Sequence, residues 1–176
     1  MSILSFLLLS SIASLAQVSA GFSPIFVKDI GYQCPSSPAL MHAGCQVMIA
    51  FENSCDSVTA EIKARINGEG GWEDPHNNGT YAIIKESSSL LEVSRLTGDG
   101  KYTDLINYSF EKQGDSACSV AACSESQVYS IGDAGTNFCN IHDLYCQESG
   151  CNPINSLKYT ESVGKCTQDT PAKCIV

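Results

Sequence analysis

The sequence predicts an α+β domain: a helix, or two helices, packed on an antiparallel sheet of about four strands, followed by a short helix and an irregular tail, stapled by disulfides. Three observations carry this. Apolar residues recur at spacings of three and four from Leu40 to Ile66, then at every second position from Tyr81 to Phe110. A Gly-Asp-Gly turn at 98–100 separates two of the alternating runs. Ten cysteines, an even number, all follow an uncharged apolar leader.

The leader, residues 1–20, has no charged side chain, and its run SFLLLSSIASLA is too short for a bilayer once its serines are counted. It ends Val18-Ser19-Ala20, small residues of the kind a signal peptidase accepts. We therefore read 1–20 as a signal peptide, 21–176 as one secreted, disulfide-rich extracellular domain, and expect no transmembrane anchor. Cys34, Cys45, Cys55, Cys118, Cys123, Cys139, Cys146, Cys151, Cys166 and Cys174 are then expected to form five bridges, because an oxidising compartment favours disulfides over thiolate chemistry. With 19 acidic against 10 basic residues the surface is acidic. Nucleic acid and anionic membrane are excluded as partners, since both require Lys and Arg to neutralise phosphate. An unknown protein, glycan or small molecule remains.

Residues 21–36 are a short apolar lead to Cys34. Ser37 and Pro38 suit a helix start, and residues 38–52 read as helix, although CQVMIAF inside them reads also as a buried strand. Residues 56–66 read as a second helix, with Asp56 as its cap, Lys63 and Arg65 in its last turn and Asn67-Gly68 as its stop. NGEGGWEDPHNN, 67–78, is turn chemistry. Four strands follow: 81–86, 91–94, 102–112 and a run between Ala117 and Ser130. TNFCNIHDLYC, 136–146, reads as a helix with Phe138, Ile141 and Tyr145 as its buried stripe. Seven helical residues set Cys139 and Cys146 about 10 Å apart, too far to bridge each other, so each is expected to bridge another segment. The tail past Cys151 reads as irregular and held by two bridges. In outline a helix on an antiparallel sheet is similar to cystatin-like and nuclear-transport-factor-like folds, a likeness of layering that carries no residue across.

The candidate binding residues are Trp72, Asp74, His76 and Tyr81. GWEDPHNNGTY gathers the only Trp, two acids, a His and two amides into one loop, where binding groups are commonly displayed. The same residue types also build turns, since Asp74-Pro75 and Asn77-Asn78 cap their own backbone. Asn78-Gly79-Thr80 and Asn107-Tyr108-Ser109 are N-glycosylation sequons. No cofactor motif and no metal site is expected: Cys139, His142 and Cys146 share a stripe, but as disulfides two of them lose their ligand atoms. No catalytic residue is assigned, for the chain has no GxSxG, HExxH, P-loop or dinucleotide fingerprint. The first reading is a secreted, disulfide-stabilised interaction or binding protein. The alternatives are a small hydrolase using His76 with Asp74 or His142, with Glu125 or Ser124 in support, or a carrier of an apolar ligand between sheet and helix.

Overall fold

The computed structural model describes residues 30–167 and 173–175; the expected signal peptide lies outside them. The chain is α+β, with two helices and a six-stranded antiparallel sheet. The strands are β1 (Gly44–Phe51), β2 (Thr80–Glu86), β3 (Leu90–Leu96), β4 (Thr103–Gln113), β5 (Ala117–Ser126) and β6 (Tyr159–Cys166), in the spatial order β2-β3-β4-β5-β1-β6. The helices are α1 (Cys55–Ile66) and α2 (Thr136–His142). No helix among the described residues is long and apolar enough to cross a membrane.

Two expectations about strands are corrected. Residues 44–51 form a central strand and not a helix, because Cys45, Val47, Ile49 and Phe51 alternate inward with β-branched side chains while β5 and β6 supply hydrogen-bonding neighbours on both sides. The tail is not irregular throughout: 159–166 pairs with β1 as an edge strand that is mostly exposed, so it carries little apolar alternation to read. The meander β2 to β5 and the second helix stand as expected, except that Ser54, not Asp56, caps α1 by accepting from the Ser57 N–H at 3.2 Å.

All ten cysteines are paired: Cys34–Cys123, Cys45–Cys166, Cys55–Cys118, Cys139–Cys174 and Cys146–Cys151. Two bridges hold the tail, and Cys139 and Cys146 do not join each other. Cys146, however, bridges Cys151 only five positions on, so α2 is tied to a distant segment at one point, not two. The helix also ends early, at His142, and Cys146 lies in the turn beyond it. Phe138, Ile141 and Tyr145 do form the buried stripe.

The core lies between one sheet face and the two helices. Val47, Ile49, Phe51, Val93, Ile106, Tyr108 and Val120 from the sheet meet Val58 and Ile62 of α1 and Ile141 of α2, all with 1% exposure or less. Each such side chain contributes about 1.5–3 kcal/mol through burial. One charged pair crosses this layer: Arg65, in the last turn of α1, accepts no solvent and donates to the Asp143 and Cys146 carbonyls at 2.8 Å and to Glu61 at 2.7 Å. Arg65 thereby satisfies carbonyl groups at and just past the C-terminus of α2 and locks the two helices together.

Candidate functional site

On β3 the positions Leu91, Val93 and Arg95 share the inward face, so the sheet itself drives an arginine into the interior. A buried guanidinium requires a carboxylate, and the 72–81 loop supplies one. Asp74 forms a fully buried ion pair with Arg95, while its oxygens also accept from the His76 N–H at 3.0 Å and the Gly79 N–H at 2.6 Å. Arg95 further donates to Asn77 Oδ1 at 2.7 Å and Tyr81 Oη at 3.1 Å. A Cβ at Gly79 would stand 2.6 Å from the guanidinium, which is why the loop needs glycine there. Trp72 is buried too, donating to the Cys151 carbonyl at 3.0 Å and packing on Tyr81.

The loop therefore divides two hollows. Trp72, Asp74 and Tyr81 line a groove of about 530 Å³ against the end of α1. His76 faces the other way, its Nε2 3.4 Å from Thr136 Oγ1, and Asn77 reaches a cleft of about 600 Å³. The four candidates thus belong to one loop but not to one pocket.

The larger cleft is walled by the β3–β4 turn (Thr97, Gly98, Asp99, Tyr102), by Asp104 and Ser126 on the sheet, and by 128–136. Gly98 is required where the turn meets the backbone carbonyl of Asn77; any side chain there would collide with it. Behind the wall runs a buried polar chain. Asn140 donates to Asp104 at 2.8 Å and Ser124 at 3.3 Å, Ser124 donates to Asn137 at 2.6 Å, and Asn137 donates to Ser126 at 3.0 Å and Asp133 at 2.6 Å. Asp133 also takes the Gly135 and Asn137 N–H groups, fixing the entry to α2. Ala134 between them sits at φ 52, a left-handed conformation that costs an alanine roughly 1–2 kcal/mol.

Sequence reasoning missed Asp104, Asn137 and Asn140. The available signal was spacing: Ser124 and Ser126 share a strand face, Asn137 and Asn140 share a helix face, and both pairs stand among apolar residues.

Comparisons with protein-family models, with curated proteins and with solved structures find no match for the chain. What the site can do therefore rests on its own geometry. The groups needed for hydrolysis are not brought together. Ser124 is fully buried and its hydroxyl is committed to Asn137; Glu125 lies 3.8 Å from His42; His142 is held elsewhere. Sulfurs at 139 and 146 are in disulfides, and the remaining ligand clusters among the described residues, Cys34-Cys123-Glu125 and His142-Cys146-Glu148, both include cystine sulfur.

His142 and Asp143, adjacent in the chain, carry the strongest pH dependence. Burial works against a charged His142, but hydrogen bonds and charge from Glu161 (3.2 Å) and Glu148 (2.7 Å) outweigh it and hold the imidazolium up to about 9, above the ordinary 6.5. The two glutamates are lowered in return, burial being overcome by their bonds to His142 and, for Glu161, to Tyr145. Asp143 is fully buried and meets no donor as a carboxylate. Burial first, then the charge of Asp74, push it up to about 8, where the neutral acid donates to Asp74.

The signs follow. His142 stabilises fully below 6.5 and the effect is lost as pH rises through about 9; Asp143 stabilises most below 3.8 and the effect drains away up to about 8; the glutamates stabilise above 4.5 and lose this on acidification. Stability should peak in mild acid and fall by up to about 1.4 kcal/mol per pH unit per group toward alkaline pH. Melting curves across the range check this. Asp143→Asn, which keeps the donor to Asp74 and cannot ionise, should flatten the neutral limb; an unchanged slope would remove Asp143 as its cause.

Proposed function

We propose that the protein is a secreted, disulfide-stabilised binding protein whose ligand enters the cleft between the β3–β4 turn and residues 128–136, with Asn77 of the 72–81 loop in its wall. Residues 1–20 act as its signal peptide. The observation that carries the reading is Asp104: it is 2% exposed and lines the cleft, one oxygen accepts from Asn140, and no donor among the described residues meets the other. A carboxylate oxygen that opens onto a cleft without a protein donor can accept one from a ligand.

In the neighbouring groove the buried charged groups are already spent, Arg65 on carbonyls and Asp74 on Arg95, and only the exposed Glu73 is left. Asn78 is exposed in that groove's wall, so a glycan on this sequon would crowd the groove and leave the larger cleft open. In this reading Trp72, Asp74 and Tyr81 hold the binding loop in shape, and Asn77 presents it. A glycan at Asn107 would stand on the opposite sheet face, beside the Gln33 carbonyl to which its amide donates at 2.8 Å.

The test is retention. Immobilised mature protein is challenged with the extracellular fluid into which it is secreted, beside Tyr129→Ala, at an exposed position, and Asn77→Ala, which loses the bond from Arg95 and is compared well below its own melting temperature. The wild type should retain a component that both variants release at least about tenfold faster, a loss of roughly 1.4 kcal/mol. Identical retention by all three would contradict the cleft, and turnover of the component would restore the hydrolase.

A further inference from the structure

The chemistry of the cleft specifies its occupant further than the word binding does. Its wall contains Asp99, Asp104 and Asp133 and no Lys, Arg or His, in a chain of net charge −9. These three carboxylates are not equivalent. Asp99 is exposed and paired with Lys101 at 3.0 Å, and Asp133 is spent on the N–H groups that open α2. Asp104 alone is nearly enclosed, and no basic group among the described residues pairs with it. The facing position on β3 is Arg95, whose Nε and Nη2 donate to Tyr81, Asp74 and Asn77, so the open oxygen of Asp104 has no ion pair of its own and a cation entering the cleft would supply one.

Two aromatic rings stand in the same wall: Tyr102 is 51% and Tyr129 65% exposed. Ring faces beside a carboxylate attract organic cations through the negative face of the π-system. Outside the lining, the exposed apolar residues Leu40 (99% exposed), Met41 (50%) and Ile131 (67%) form a rim on segments that meet at Ser130, a lining residue whose N–H donates to the Met41 carbonyl at 3.1 Å and whose hydroxyl accepts from the Ala43 N–H at 2.8 Å.

We propose that this cleft takes a primary ammonium group carried on an apolar stem, the ammonium on Asp104, the stem passing Tyr102 and Tyr129 toward the rim of Leu40, Met41 and Ile131. The proposal rests on the cleft being the binding site. Other ligand classes fit less well. An anion meets like charge and no cationic donor. A neutral sugar leaves Asp104 without countercharge. A bare divalent ion needs several converging carboxylates, and these three do not approach within 4.8 Å of one another as a group. A free alkylamine and a lysine side chain of a partner share the required chemistry.

The experiment is an NMR titration of the mature, oxidised protein with n-hexylammonium, its neutral isostere hexan-1-ol, hexanoate, a lysine amide blocked at its α-amino group, and a neutral cello-oligosaccharide. Hexylammonium should bind at least about tenfold more tightly than hexanol, weaken several-fold in high salt, and shift Tyr102, Tyr129 and Thr136; hexanoate should not bind. Asp104→Asn should erase the preference of ammonium over alcohol, and Tyr129→Ala should weaken ammonium several-fold with the melting temperature unchanged. Should Asp104→Asn fail to fold, the wild-type series and Tyr129→Ala still decide. Equal binding of the lysine amide assigns the site to a protein-borne lysine, and preference for hexylammonium to a free amine. Hexanol equalling hexylammonium, or the oligosaccharide alone shifting the cleft, overturns the ammonium proposal and leaves the cleft standing. No probe shifting the cleft overturns both.

Discussion

Arg95→Ala should leave the protein unable to accumulate in a folded form. The substitution removes the cation paired with Asp74, whose side chain has no solvent exposure, and it strands that carboxylate against a second buried acid, Asp143. Breaking a buried pair from one side costs about 3–5 kcal/mol, a large share of a total stability near 5–15 kcal/mol. The loop 72–81 would also lose the anchor at Asn77 and Tyr81. Asp74→Asn should cost less than Arg95→Ala, because an amide keeps part of the hydrogen bonding and leaves no second carboxylate beside Asp143. The double variant Arg95→Met with Asp74→Asn should recover part of the loss. Urea unfolding of the four proteins measures each difference. Equal stability of wild type and Arg95→Ala would show that the loop is not held this way.

Disulfide loss should divide by loop length. Cys139–Cys174 spans 35 residues and Cys146–Cys151 only 5, so the chain-entropy contribution is about 4 kcal/mol for the first and about 2 kcal/mol for the second. Cys139→Ser should reduce secretion sharply, since the same bond fixes α2 against the C-terminal segment. Cys146→Ser with Cys151→Ser should be milder, because Arg65 still holds the Cys146 carbonyl and Trp72 the Cys151 carbonyl. Secretion yield and melting temperature of the two sets check the order. His142→Ala should loosen β6, because it removes the group shared by Glu148 and Glu161.

The class of the fold was legible because α1 and the β2–β5 meander each keep one period over their length. Residues 40–66 misled because the strand β1 abuts α1 with three intervening residues, and the inward positions of one continue by accident into the three-and-four spacing of the other. Edge strand β6 offered almost no buried face to recognise. The polar loop at 72–81 drew attention as a display surface, yet its most conspicuous members point inward. The clue lay on another strand, in an arginine placed in register with Leu91 and Val93, since an arginine at a core position demands a carboxylate from somewhere in the chain. Asp104 could not be singled out in the same way. It becomes distinctive only when Asn140 covers one oxygen and the other faces the cleft, an arrangement that brings together β4, β5 and α2 from three separate stretches.

Amide-resolved NMR of the ¹⁵N-labelled protein, recorded with and without the small-molecule and glycan fraction of the extracellular fluid in which the proposed secretion would place it, tests the central claim most directly. Perturbations should concentrate at Asn77, at Thr97 to Tyr102 and at Ser126 to Thr136, and should need several-fold more ligand in Tyr129→Ala. Perturbations confined to the groove of Arg65, Trp72 and Tyr81, with the cleft of Asp104 silent, would contradict the account.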